Sequence, residues 1–311
     1  MATTPPERAG PAGQRSPLRR RLGLAAGLVV CVFLGWALVR GWEGVRAYDW
    51  DIRTAPFAAG TAVLVVFYLA SGLGYLLILE RLQRPAPPRL AMLSIWARSL
   101  LGRYVPGSVV MVVGRVVLSH ERGVPRRATA AAMVYELVLS VGVAAAAAVL
   151  FVVVYGLGGP AVWVVAALPL GLAVLHPRIF GPVSAFALRK AGREPLPRLI
   201  GGRDLLLLGA WFGVIAALLG LGMWLLVVGA AGAGAGGPVF IGSAFLMSYA
   251  VSMAAVIVPS GLGVREGAFA LALAQNVPEG VAVALAVGAR LILTLVEVAF
   301  VAVVALAGRR R

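Results

Sequence analysis

Seven ionisable residues stand in or beside long apolar stretches of this sequence: Arg103, Arg115, Glu136, Arg265, Glu266, Arg290 and Glu297. In hydrocarbon, a single Arg or Glu at mid-depth costs about 2.5–3.5 kcal/mol even on the lenient insertion scale. Such residues need partners or a ligand. Four are positive and three negative, so the set is nearly balanced and suits pairing around a polar cavity. A guanidinium fork donates two parallel hydrogen bonds to a phosphate. The glutamates would balance that charge or receive a cationic group.

Two proline motifs lie beside these charges. Val105-Pro106-Gly107-Ser108 is echoed half a chain later by Val258-Pro259-Ser260-Gly261. Each is followed by an arginine close to a glycine, Gly114-Arg115 in the first case and Gly263-Val264-Arg265 in the second. Proline interrupts a helix, and the new helix after it presents free N–H groups that favour anions. Pro106, Gly107, Pro259, Ser260, Gly261 and Gly263 are therefore read as the tips of two broken hairpins. The plainer reading is two ordinary turns in a longer bundle.

The elements that must carry these residues are membrane helices. Of 311 residues, 61% are apolar and 13% charged, against about 45–50% and 25% in soluble domains. This excludes a soluble enzyme, a disordered chain and a disulfide-built scaffold. The net charge of +16 would suggest nucleic acid in a soluble protein. Here it gathers at the ends of apolar runs, where it orients a membrane protein. One cysteine, Cys31, and two histidines, His120 and His176, allow no internal disulfide, no CxxC metal site and no histidine cluster. Nothing resembles a phosphate-binding P-loop. No cofactor, metal or nucleic acid is expected.

A helix of roughly 20 residues crosses the bilayer. Residues 1–18 read as a disordered cytoplasmic tail, followed by a single transmembrane domain over 19–308 and a basic end at 309–311. Full spans are expected at Leu22–Val39, Thr54–Leu79, Ala128–Tyr155, Ala161–Leu175, the stretch after Leu205 and Gly280–Gly308, with Arg40–Arg53 as a loop. Leu90–Tyr104 and Ser108–Ser119 would reach only about 22 and 18 Å as helices, and Leu262–Gln275 is also short. Arg178–Arg203 reads as an interfacial segment. Gly72-x-Gly74 and Gly220-x-Gly222 suit close helix packing.

The order helix, helix, broken hairpin, helix occurs twice, over about 19–155 and 160–308. The second copy starts on the opposite side, which makes an inverted repeat of the kind found in secondary transporters. Arginines at 8, 15, 19–21, 81, 84, 89, 122, 126, 127, 178, 189, 193, 198, 203 and 309–311, with Lys190, fall on one side; Arg40, Arg46 and Arg53 fall on the other. The positive-inside rule makes the first side cytoplasmic and both termini cytoplasmic. The expected fold is an all-α polytopic membrane protein of about six full spans plus two opposed re-entrant hairpins, with about ten shorter and longer spans as the alternative.

Within this frame the chain resembles the lysylphosphatidylglycerol synthase transmembrane region family, also described as flippase-like membrane proteins. The resemblance rests on Arg103-Tyr-Val-Pro106-Gly107 with Arg115, on Glu136, on Pro259-Ser-Gly261-Leu-Gly263-Val-Arg265-Glu266 and on Arg290, and covers roughly Leu22 to Gly308. It implies a bacterial inner-membrane protein. In two-domain members this region is thought to move aminoacylated phosphatidylglycerol between leaflets. Leu137 and Ser140 stand where the family usually places an Arg and an acid, and Ser260 stands where it usually has Gly. The chain ends on Arg309-Arg310-Arg311 without a synthase domain, so synthesis of lysyl lipid is not expected.

The function expected is a flippase for an anionic phospholipid or a polyprenyl-phosphate-linked lipid, with no catalytic residue. Headgroup binding falls to the seven charged residues. A membrane-embedded transferase on a lipid phosphate is the alternative, with Asp49 and Asp51 as its only acidic pair outside the membrane. A scaffold for an envelope-lipid-modifying enzyme is a third reading, and oligomeric state is left open. Simpler roles also apply: Arg98, Arg103 and Arg115 snorkelling to the interface, Arg265 and Glu266 satisfying each other, Arg290 and Glu297 forming one network.

Overall fold

A computed structural model describes residues 42–104, 109–156, 199–254 and 263–307, with isolated residues between. The described residues form helices only: α1 (Trp42–Ala47), α2 (Thr54–Leu82), α3 (Arg89–Leu100), α4 (Val109–His120), α5 (Arg126–Tyr155), α6 (Gly202–Ala231), α7 (Pro238–Ala254), α8 (Val264–Leu273) and α9 (Glu279–Ala307), with short 3-10 turns at Leu101–Tyr104 and Ala233–Ala235. Helices α2, α5, α6 and α9 have 29 or 30 residues, about 44 Å each, enough to cross the roughly 30 Å hydrocarbon core. Each is apolar enough to do so. The chain is a multi-pass membrane protein.

The expected spans Thr54–Leu79, Ala128–Tyr155 and Gly280–Gly308 appear within a few residues of their predicted limits. The Arg40–Arg53 segment is not simply a loop, since it contains α1. Glu43 lies in the first turn and Arg46 in the last, which suits the helix dipole. Arg46 also sits 5.5 Å over the Trp42 ring, one turn back. The expected spans Leu22–Val39 and Ala161–Leu175, the terminal segments and nearly all of Arg178–Arg203 lie outside the described residues, as do Pro106, Gly107, Pro259, Ser260 and Gly261.

The most extensive helix contact joins α2 and α6. They run antiparallel. The Arg53 N–H donates to the Gly229 carbonyl at one end, Trp211 donates to the Ala70 carbonyl near the other, and Arg81 pairs with Asp204 beyond it. Small residues let the backbones close: Gly72 faces Trp96, Gly74 faces Trp211, Gly220 faces Gly242 and Gly222 faces Leu64, which bears out the packing role read for these glycines.

Contacts repeat between the halves. The short α3 packs on α9, the closing helix of the other half, and α7 packs on α5. Each broken pair also begins and ends at one level. Gln83, just after α2, donates to the Gly123 carbonyl just before α5, so α3 and α4 leave and return at the C-terminal end of α2. Asn276, after α8, donates to the Ala235 carbonyl before α7, so α7 and α8 leave and return at the C-terminal end of α6. Because α2 and α6 are antiparallel, the two pairs start from opposite ends of the bundle.

Candidate functional site

The first charged cluster is built by α3, α4 and α5. Arg115 is 2% exposed and cannot keep an unpaired charge there. Its Nη1 donates to Glu136 Oε2 at 2.5 Å and its Nε to Ser99 Oγ at 2.8 Å. Its guanidinium lies 4.8 Å over the Tyr75 ring. Trp96 Nε1 donates to the other Glu136 oxygen at 2.7 Å, and Ser99 donates to the Trp96 carbonyl. Glu136 is thus clamped from both sides. Gly102 lets the two arms meet: a Cβ there would lie 2.6 Å from the Met111 amide nitrogen.

The second cluster crosses between halves. Arg103, at the end of the 3-10 turn after α3, pairs with Glu297 of α9 at 3.4 Å. Tyr68 of α2 donates to the same Glu297 oxygen at 2.8 Å. One buried carboxylate therefore ties α2, the α3 arm and α9 together.

The third belongs to α8 and α9. Gly263, at φ +78°, takes a left-handed conformation suited to glycine. Its N–H donates to Glu266 Oε2 at 2.5 Å, so Glu266 caps the start of α8. The other Glu266 oxygen faces Arg290 Nε at 3.5 Å. Arg265 points elsewhere. It is 8% exposed, its guanidinium lies 4.4 Å over Phe245 and 5.1 Å over Tyr249, and its Nε has no hydrogen-bond partner.

These clusters surround a cavity of about 160 Å³ lined by Arg103, Glu136 and Arg265, by Ser71, Ser140, Tyr68, Trp96 and Tyr249, and by apolar side chains from α2, α3, α5, α6, α7 and α9. Charged residues from both halves thus reach one space. Hydroxyls and guanidinium groups there offer donors, and one clamped carboxylate offers an acceptor. No group of three or more His, Cys, Asp or Glu residues that could hold a metal occurs among the described residues.

Of the seven charges singled out from sequence, Arg103, Glu136 and Arg265 line this cavity, while Arg115, Glu297, Glu266 and Arg290 stand behind them. Arg265 and Glu266 do not satisfy each other. Arg290 and Glu297 do not form one network either; each pairs with a different element. Arg115 does not snorkel. Arg98 does reach outward, to the Ala305 carbonyl at 3.4 Å. Tyr68, Tyr75, Trp96, Ser99, Phe245 and Tyr249 were not anticipated. A signal existed for some of them: Tyr68, Ser71 and Tyr75 recur at helical spacing on one face of an otherwise apolar helix, as do Trp96, Ser99 and Arg103.

Outside the apolar spans, Arg53 is bonded to Asp51. That hydrogen bond holds the guanidinium pKa above its ordinary value. Asp51 thus serves the turn that leads into α2, beside Gly232.

The family described as "Lysylphosphatidylglycerol synthase TM region" matches the chain over residues 22–301. No curated protein and no solved structure matches it.

Proposed function

Starting from the chain's membership of the lysylphosphatidylglycerol synthase TM region family, we propose that it is a flippase rather than an enzyme. It moves an anionic phospholipid or polyprenyl-phosphate-linked lipid between leaflets of the bacterial cytoplasmic membrane. The carrying observation is that two broken helix pairs, starting from opposite ends of the α2–α6 pair, deliver Arg103 and Arg265 to one cavity that also holds Glu136.

In this reading the broken pairs are re-entrant hairpins within about six full spans, and the halves are inverted repeats. The antiparallel α2 and α6 support it, because a repeat related by an axis along the membrane normal would run these counterparts parallel. The exchange of contacts, α3 on α9 and α7 on α5, supports it too. The headgroup phosphate sits among Arg103, Arg265 and the hydroxyls, while acyl or polyprenyl chains stay in the bilayer. Rocking one half against the other would open the cavity alternately, with the Arg103–Glu297 pair as the tie between halves. Both termini are cytoplasmic in this arrangement, following the arginine distribution. The transferase reading is disfavoured by Asp51, which is engaged by Arg53.

The test is reconstitution in liposomes with fluorescent phosphatidylglycerol and polyprenyl-phosphate analogues. Faster inter-leaflet movement of at least one anionic lipid than in protein-free vesicles is expected. Equal rates for every anionic lipid would contradict the proposal.

A further inference from the structure

The seven intramembrane charges sum to one excess positive charge, and the structure localises it. Arg115 is paired with Glu136, Arg103 with Glu297 and Arg290 with Glu266. Arg265 is left over. Among the described residues no carboxylate forms an ion pair with it, its Nε lacks a hydrogen-bond partner, and its guanidinium lies on the faces of Phe245 and Tyr249, while the Glu266 carboxylate, shared with Arg290, acts on it only at longer range. Its side chain is more than nine-tenths buried and lines the cavity. The sequence at 105–108 and 255–262 contains no ionisable side chain.

A buried guanidinium without an anion of its own in direct contact is costly, and aromatic faces offset only part of that cost. Its missing counter-charge is one unit. We infer that the cavity selects a singly charged phosphodiester, whose one negative charge meets Arg265. The inference rests on the lipid-site reading above and narrows it. A phosphatidyl diester or a polyprenyl monophosphodiester fits. A phosphomonoester or a diphosphate would bring surplus negative charge into a space of low dielectric, where it is poorly screened. A net-cationic headgroup would add to the positive excess already present.

The experiment is native mass spectrometry of the delipidated full chain with defined lipids at pH 8, above the second phosphate pKa of about 6. The probes are phosphatidylglycerol, phosphatidic acid, phosphatidylcholine and lysylphosphatidylglycerol, with dimethyl phosphate as a soluble diester. Phosphatidylglycerol should bind about tenfold more tightly than phosphatidic acid or phosphatidylcholine, the effect of one unmatched charge, and lysylphosphatidylglycerol, with two, should bind more weakly still. Arg265→Gln should abolish that preference and raise phosphatidylcholine to parity or above, and Arg265→Lys should keep part of the preference. Competition by dimethyl phosphate, with no retention of lipid, would assign the site to a soluble diester. Retention of phosphatidylglycerol together with phosphatidic acid at equal or higher affinity overturns the charge selection but leaves the lipid site standing. A wild-type chain that holds neither lipid nor diester overturns both. Arg265→Gln protein that melts like wild type yet keeps the preference also overturns the inference.

Discussion

The two buried arginines that follow the broken-helix motifs, Arg115 and Arg265, look alike in the sequence and stand in opposite situations. Arg115 has a carboxylate, a hydroxyl and an aromatic face. Its donors are used within the protein, and it serves to hold Glu136 and lock α3, α4 and α5. Arg265 has two aromatic faces and a cavity. Burial is the same to within a few per cent; what differs is satisfaction. A buried charge that the protein itself completes is architecture. One left incomplete and facing a space is where a ligand completes it.

The largest effect expected from breaking this contrast is at the first site. Arg115→Met leaves Glu136 without its counter-ion, and removing one partner of a buried pair costs about 3–5 kcal/mol. Thermal unfolding in detergent should show a large drop, and Arg115→Met with Glu136→Leu should recover much of it. Equal destabilisation in the single and double variants would show that the pair is not the source. Gly102→Ala comes next. Its Cβ would meet the Met111 backbone at 2.6 Å, and overpacking of this kind costs about 1–3 kcal/mol. A lowered midpoint is expected, with Gly102→Ser at least as severe.

Smaller again is Arg265→Met. The loss of cation–π attraction is offset by removal of an unpaired buried charge, so stability should change by less than about 1 kcal/mol, while lipid binding falls. A collapse of stability comparable to that of Arg115→Met would erase the distinction. The smallest effect is at Arg89, exposed at the start of α3 and bonded to Glu80. Arg89→Gln should leave the unfolding midpoint and lipid binding unchanged at physiological salt, because exposed pairs are screened.

Much of this contrast was hidden from sequence, for a geometric reason. Arg265 and Glu266 are neighbours, and successive residues on a helix point about 100° apart. They diverge: Glu266 turns back to cap Gly263 and meet Arg290, while Arg265 turns to α7. Arg290 and Glu297 share a face of α9 but stand about 10 Å apart along it, far enough to take separate partners. Glu136 is followed by Leu137 and has no arginine beside it in the chain; Arg115 brings the guanidinium from another helix. Helix limits and the two broken pairs were legible because they depend on local rules, apolar length and proline. Pairings across helices depend on packing between distant segments, which no spacing within one helix encodes. The aromatic residues that receive Arg265, Phe245 and Tyr249 of α7, went unread for the same reason.

The most direct measurement compares phosphatidylglycerol movement in liposomes bearing wild-type chain, Arg265→Gln and Arg98→Gln, each first shown to melt within a few degrees of wild type. Movement lost with Arg265→Gln and kept with Arg98→Gln is the predicted result. Undiminished movement in folded Arg265→Gln protein would contradict the claim that this unpaired guanidinium receives the lipid's charge.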